Sequence, residues 1–524
     1  MPPRNRKPNE MVQQIVPLLI FGIVLLGSGR GFTMIDDEAL TLRAAVQPVR
    51  ATLLLFLSGT GQHEHPPLYD ILLHFWLRET AGAFELLRVP SIFFYLAGIF
   101  LLGRVARRMG GPESAFAVIW IGVLWPFGFH YGPLAVWYSF SFFLVAGLTL
   151  AYARYLQDPN PGRWALLLLI GIFLIWTNYF GWAILGCLAV DLLLRYFRGE
   201  RSAKPALLIP SAAILVVAFI PLFRAFRYEL HAGTDFHHGA LALVANVAFC
   251  VYSFFVSESM APWFWAFSIP AGLAVLACLV ITLLYVPRNV RRFLLYAVAL
   301  LAIMALIGIL NTKRLLLLAP WVLLPIGVAI GTNIKAKFVR IGLAASLLII
   351  TGIGWYGIYT RHYYSAPRFI EPWQQLAGDT VDKIHNGATV IANSPSFFLY
   401  LTYSLHVPAE QGAWKLEGFL PDQIQDSHVL SPIEWAVTGR AVTPKMTWIR
   451  GMNGPYGIAS MDSVAQYLDH NCGSRSSRLM MRDTGFALKQ KLFPELGESP
   501  WRIEVRDYDC GPASSQEIYP IPAQ

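Results

Sequence analysis

Charge is scarce in this chain. Asp, Glu, Lys and Arg make up only 14% of its 524 residues, whereas a soluble globular protein carries about 25%. The shortage excludes an ordinary soluble domain, and 55% of the residues are hydrophobic instead. Apolar runs recur from residue 11 to residue 360, each near the roughly 20 residues that cross a bilayer. After residue 365 the long runs stop and mixed polar sequence takes over, so one boundary is expected: a membrane domain over 1–364 and a soluble domain over 365–524. No internal repeat and no low-complexity tract interrupts either part. The first span lacks a small-residue cleavage site and reads as an anchor. Cysteine is rare as well, with five in all. Cys187, Cys250 and Cys278 lie in apolar stretches and read as packing residues. An oxidising compartment would permit a disulfide between Cys472 and Cys510, although spacing alone leaves that pairing open.

The net charge of +9 would suit nucleic acid if it formed a basic surface. It does not. The basic residues cluster between apolar spans, at Arg4, Arg6 and Lys7, at Arg104, Arg107 and Arg108, at Arg195, Arg198, Arg201 and Lys204, at Arg288, Arg291 and Arg292, and at Lys335, Lys337 and Arg340. This is the positive-inside pattern of cytoplasmic loops. Threaded through those clusters, the chain makes about eleven spans: 11–29, 86–103, 114–130, 135–153, 164–179, 181–195, 205–222, 264–286, 293–310, 315–331 and 341–360. The N-terminus is then cytoplasmic and the C-terminal domain extracytoplasmic. Two apolar stretches break the alternation, one after residue 65 and one at 240–255, and both are expected as helices lying at the outer interface. The C-terminal domain mixes strand-like and helical runs. "ATVIANSPSFFLYLTYSL" reads as strand, Ser-Pro turn and helix, and "PWRIEVRDYD" as a late strand. An α/β or α+β fold is expected there.

Polar residues gather on the outer side. Asp36, Asp37 and Glu38 stand where the first span gives way to a helix. Acids favour helix N-termini, which accounts for one or two of them. Three in succession point about 100° apart, and ionisable groups beside hydrocarbon are functional candidates. In "GQHEHPPLYDILLHFWLR" the two prolines suit the first turn of a helix and hold His65 extended. Leu68, Ile71, Leu72 and Phe75 form one apolar face, with Asp70, His74 and Arg78 as a polar stripe. His63 and His65 could be a metal pair, and so could His237 and His238 with Asp235, but capping and solvated loops explain these residues at least as well.

The order "DDEA", "HPPLY", "ELLRVPS", followed by an Arg-ended span, resembles the GT-C membrane glycosyltransferases. The closest likeness is to the RgtA/B/C/D-like and aminoarabinose-transferase-like branch, related to protein O-mannosyltransferases. "NTKRLLLLAPWVLLPIG" and "YYSAPRFIEPWQQLAG" are similar to that family's late Arg-led span and the lead into its outer domain. The resemblance implies transfer of a sugar from a polyprenyl-phosphate donor to a lipid, glycan or protein acceptor at the outer face of a bacterial inner membrane. It puts Asp37 and Glu38 at the catalytic centre, where a carboxylate can take the proton of an attacking hydroxyl. The leaving phosphate needs cations, for which Lys313, Arg314 and Arg88 are the candidates. Asp36, Glu64, His65, Tyr69 and Tyr131 are expected to line the pocket. No metal ligands are assigned, although Mg or Mn is a candidate cofactor. One departure stands out. Related sequences carry a Gln-Glu-Ala-Arg-like motif after the third span, but "FHYGPLAVWYSF" has Leu134 and Val136 where the acid and the arginine belong. Either other residues such as His130, Glu64 or the 231–239 loop stand in, or the donor is a different one. Two rivals stay open, a flippase for a lipid-linked intermediate and a non-catalytic scaffold. A flippase would want charges at the midplane, whereas the acids here gather at the outer edge.

Overall fold

A computed structural model describes residues 8–28, 31–58, 65–80, 83–200, 205–232, 240–331, 337–365, 367–404, 429–430, 432, 435, 443–451, 457–482 and 502–511. The helices in chain order are α1 (Pro8–Ser28), α2 (Asp36–Val46), α3 (Val49–Ser58), α4 (Leu68–Glu79), α5 (Val89–Gly110), α6 (Pro112–Leu124), α7 (Pro126–Tyr131), α8 (Tyr138–Gln157), α9 (Pro161–Ile175), α10 (Gly181–Phe197), α11 (Leu208–Phe219), α12 (Phe223–Ala232), α13 (Ala240–Val256), α14 (Trp265–Tyr285), α15 (Arg288–Leu306), α16 (Ala319–Gly331), α17 (Lys337–Thr360), α18 (Trp373–His385), α19 (Pro395–Ser404) and α20 (Gly457–Asn471). The strands are β1 (Thr389–Ala392), β2 (Val429–Leu430), β3 (Lys445–Arg450), β4 (Gly473–Arg482) and β5 (Arg502–Asp509). Contacts divide the chain into two compact units. The first comprises Met1–Arg30, Pro48–Trp76 and Leu86–Ser365; the second comprises Gly31–Gln47, Leu77–Glu85 and Ala366–Gln524.

The first unit is helical, and each of the expected spans is helical over most of its length. Among the described residues six helices are long and apolar enough to cross a membrane: Val89–Gly110, Tyr138–Gln157, Leu208–Arg227, Trp265–Tyr285, Arg288–Leu306 and Phe338–Thr360. Shorter apolar helices include Val12–Ser28, Pro112–Leu124, Pro161–Ile175, Ala240–Val256 and Ala319–Gly331. The protein is therefore a multi-pass membrane protein. Proline punctuates it. Pro112, Pro126 and Pro161 open α6, α7 and α9, where a missing N–H is harmless. The Asn160 side chain accepts the Arg163 N–H at 2.9 Å and closes the start of α9. Pro126 also splits the stretch expected as one span over 114–130 into α6 and α7, since proline disfavours helical backbone in the residue before it.

Two features hold the helices in register. α5 packs on α6 and α8, α16 on α6, and α14 on α17. Deep among them, Asp191 of α10 is only 4% exposed. It accepts hydrogen bonds from Tyr152 of α8 at 2.6 Å, Arg195 at 2.9 Å, and Arg292 and Tyr296 of α15 at 2.9 Å each. Two cations and two hydroxyls thus converge on one carboxylate, which satisfies a charge that would otherwise be very costly to bury. α13 is exposed at Leu241 and Val244 and buried from Ser253 to Val256. Helix α4 begins right after Pro67, as expected, and buries Tyr69, Asp70, Leu73 and Leu77. Its Leu72 and Phe75 are left uncovered by protein.

The second unit carries a five-stranded sheet of order β2-β1-β3-β5-β4. β1 runs parallel to β2 and β3, and β5 runs antiparallel to β3 and β4. All four residues of β1 are buried, as suits a strand covered on both faces. Ile391, Trp448, Met461, Leu468 and Tyr508 pack into one core. Trp448 lends its indole N–H to the Met461 carbonyl at 2.9 Å, and Arg506 lies over its ring at 4.9 Å. The disulfide left open by the sequence is formed: Cys472, just after α20, is bonded to Cys510, just after β5. It ties the end of that helix to the end of the strand.

Candidate active site

The acidic segment belongs to the second unit and opens α2. Asp36 reaches the start of α19, where its Oδ1 accepts the Ser396 hydroxyl at 2.7 Å and the Ser396 N–H at 3.2 Å. A carboxylate on the free N–H groups of a helix start is favourable for charge and hydrogen bonding alike. Glu38 is fully buried, and its Oε2 accepts the N–H of Ile35 at 3.1 Å, closing its own helix. Asp37, between them, is half-buried. Neighbouring backbone is tied down by Thr33, whose N–H meets the Phe369 carbonyl at 3.0 Å and whose hydroxyl meets the Glu371 carbonyl, and by the Tyr400 hydroxyl on Met34 N–H at 2.8 Å.

Glu371 adds a second acid to this neighbourhood. Burial, and then the negative charge of Asp36, push its carboxyl up to about 8, against the pull of the Trp373 indole hydrogen bond and Arg368. The indole N–H donates to Glu371 Oε2 at 2.6 Å. Sequence reading quoted the segment holding Glu371 without singling it out. An acid between Ile370 and the Pro372-Trp373 pair was the available signal.

The first unit carries the other expected residues. His65 sets its ring edge-on to Trp137, centroids 5.2 Å apart. Trp137 is 4.5 Å from Tyr138, and Tyr138 is 6.3 Å from Tyr131. The Tyr131 hydroxyl, fully buried, lies 3.4 Å from that of Thr312. Thr312 starts the 3-10 segment Thr312–Leu317, which holds Lys313 and Arg314. The Asn311 side chain accepts the Lys313 N–H at 3.3 Å. Arg314 donates to the Ile309 carbonyl at 2.9 Å and lies 5.7 Å from the Phe180 ring centroid. Tyr69 is buried, its hydroxyl 2.6 Å from that of Ser91. Arg88 is 7% exposed at the N-cap of α5. His65 and Tyr131 thus belong to one line of rings through Trp137 and Tyr138, Lys313 and Arg314 follow Thr312 in the 3-10 segment, and Tyr69 meets Ser91 of α5 while Arg88 stands just before that helix. Glu64 lies outside the described residues, as do His63 and the 233–239 part of the histidine-rich loop.

A residue the sequence reading passed over sits in this cluster. Glu258, 2% exposed, follows α13 in "VSESMAPW", and its Oε1 accepts the Thr312 hydroxyl at 2.5 Å. Beside it His130 links Ser257 Oγ to the Tyr364 hydroxyl through its two ring nitrogens, at 2.5 and 2.9 Å. An acid in an otherwise apolar stretch was the signal that could have found it. Leu134 and Val136, where related sequences have charges, are each 1% exposed and apolar. Among the described residues no three His, Cys, Asp or Glu side chains converge into a metal site.

No family model and no curated protein matches the chain. Solved structures do. The chain is similar to ArnT from Cupriavidus metallidurans in the apo state, with a TM-score of 0.51 and 12% identity, over 95% of this chain and 97% of that one. ArnT from the same organism bound to undecaprenyl phosphate gives a TM-score of 0.49 and 13% identity over 96% and 98%.

Proposed function

We propose that this protein is an integral membrane glycosyltransferase of eleven crossings, acting at the outer face of a bacterial inner membrane. It moves a sugar from a polyprenyl-phosphate donor to a lipid, glycan or protein acceptor. The observation that carries the reading is the fold likeness to apo ArnT across almost the whole chain, joined to the successive cations Lys313 and Arg314 of one 3-10 segment, with Arg314 over the Phe180 ring. In the reaction the acceptor hydroxyl attacks the anomeric carbon and gives its proton to Asp37. The bond from that carbon to the phosphate oxygen breaks, and its electron pair stays on the lipid phosphate. Arg314 and Lys313 hold the phosphate and offset its growing charge. Direct displacement inverts the anomeric carbon. Asp37 is the base in this reading because the resemblance puts it, with Glu38, at the catalytic centre.

The test is deletion of the gene, mass spectrometry of the envelope glycans, and complementation with wild type or Asp37→Asn at equal protein level. A sugar-sized mass should vanish on deletion and return only with wild type. Return with the mutant would remove Asp37 from the mechanism. No change in any glycan, with redundant genes also deleted, would remove the transferase reading.

A further inference from the structure

We propose that Glu258 is a positioning residue for the donor phosphate: through Thr312 it sets the 3-10 segment that presents Lys313 and Arg314. The inference rests on the reading above that this pair holds the phosphate.

The case starts with the backbone. Ser257 closes α13, its N–H bonded to the Ser253 carbonyl at 2.7 Å, and it sits at φ 72°. A β-substituted residue rarely adopts that left-handed conformation, and persists there only when its surroundings over-determine it. Here they do. His130 Nδ1 engages Ser257 Oγ at 2.5 Å. The Glu258 carbonyl accepts the N–H and hydroxyl of Ser365 at 2.8 and 3.1 Å. The Ser259 hydroxyl reaches the Gly354 carbonyl of α17 at 2.9 Å. α17 comes this close because it carries glycines at the contact. A Cβ on Gly354 would lie 2.7 Å from the Val256 carbonyl, and one on Gly357 would lie 2.5 Å from that of Ser259. Strain, hydrogen bonds and glycines all hold one turn in one shape.

That turn points the Glu258 carboxylate at the segment after Asn311. Thr312 donates to it and is itself the first residue of the 3-10 segment. Lys313 and Arg314 follow directly, so any rotation of that turn carries both cations with it. Asn311 and Ile309, just before it in the chain, restrain Lys313 and Arg314 as well. Glu258 is 2% exposed, too buried to touch a lipid phosphate, so it acts on the donor through neighbours such as Thr312.

The experiment uses the purified full chain in detergent, with undecaprenyl phosphate alone as probe and binding read from tryptophan fluorescence. Glu258→Ala and Thr312→Val should each weaken binding about tenfold, and the double variant should be no worse than either single. Glu258→Gln keeps an acceptor oxygen and should bind like wild type. Size-exclusion profiles check that each variant is folded; where Glu258→Ala is not, Thr312→Val and Glu258→Gln decide. Wild-type affinity in Glu258→Ala or Thr312→Val, or additive losses in the double variant, would overturn the inference. Arg314→Ala separates the two levels. If it leaves affinity unchanged, the reading of the cation pair fails; if it weakens binding while Thr312→Val does not, only the role of Glu258 fails.

Discussion

Replacing Asp191 with alanine should destabilise the helical unit by about 3 kcal/mol. The carboxylate is 4% exposed and joins α8, α10 and α15 through four donors. Removing one partner of a buried ion pair costs roughly 3–5 kcal/mol, because the remaining charges stay buried unpaired. The low end applies here, since Arg195 and Arg292 keep 14% and 15% of their side chains accessible to water. At about 2 °C per kcal/mol for a unit of this size, the apparent Tm falls by about 6 °C. Free thiols supply the assay. Cys250 and Cys278 are buried within the first unit and Cys187 is half-buried there, while Cys472 and Cys510 are oxidised. A thiol-reactive dye therefore reports melting of the first unit alone. Asp158→Ala is the control. Its ion pair with Arg163 is exposed, 63% and 36%, and such pairs contribute about 0–1 kcal/mol. A shift under about 2 °C for Asp191→Ala, or an equal shift for the control, would refute the view that one buried carboxylate ties these helices together.

Two further outcomes concern the second unit. Glu371 is raised in the folded state, to about 8, above its unfolded value near 4.3. The folded unit therefore binds the extra proton, and its stability falls as pH rises between those two values. Glu371→Gln should flatten that fall and raise the melting temperature at pH 8, since an amide oxygen still accepts the Trp373 indole; an unchanged pH profile would refute the assignment. The Cys472–Cys510 disulfide closes a separation of 38 residues, for which the chain-entropy relation gives about 4 kcal/mol. Reduction, or Cys472→Ser with Cys510→Ser, should open the region after residue 366 to protease while the helical unit stays resistant, and equal resistance before and after reduction would count against it.

Long apolar periodicity made the helical spans legible, because burial in lipid leaves a chain few alternatives to helix. Strand β1, the turn at Ser394-Pro395, α19 and β5 were legible for a similar reason: β-branched residues, a breaker and a fresh apolar run follow in order. What the sequence concealed was the breaks within spans. Pro126 divides a stretch that hydropathy shows as continuous, and 312–317 tightens to 3-10 before Pro320 within the run expected at 315–331. Hydropathy averages over a window and cannot register a single residue. The disulfide needed a distance, which spacing does not contain.

The polar residues followed a different rule. Three adjacent acids look equivalent in sequence, yet two of them bind helix starts, one its own and one that of α19, 360 positions away. Only the fold shows which helix start each of Asp36 and Glu38 binds. Glu258 escaped notice for the opposite reason, being one acid with no motif around it. Its partners are 127, 54 and 107 positions distant in the hydrogen bonds that define its turn. The stretch expected to bring an acid and an arginine brings Leu134 and Val136 instead, and both are buried. A charge at either would need a partner there. A buried carboxylate, Glu258, does come from the turn after α13, and it meets Tyr131 of the altered stretch through one shared hydroxyl, that of Thr312. A motif altered in sequence therefore need not mean a site without an acid, because packing can deliver the same group from another segment. The loss at Leu134 is consequently weak support for an inactive scaffold, and donor binding in Thr312→Val bears on that question more directly than restoring a glutamate at 134 would.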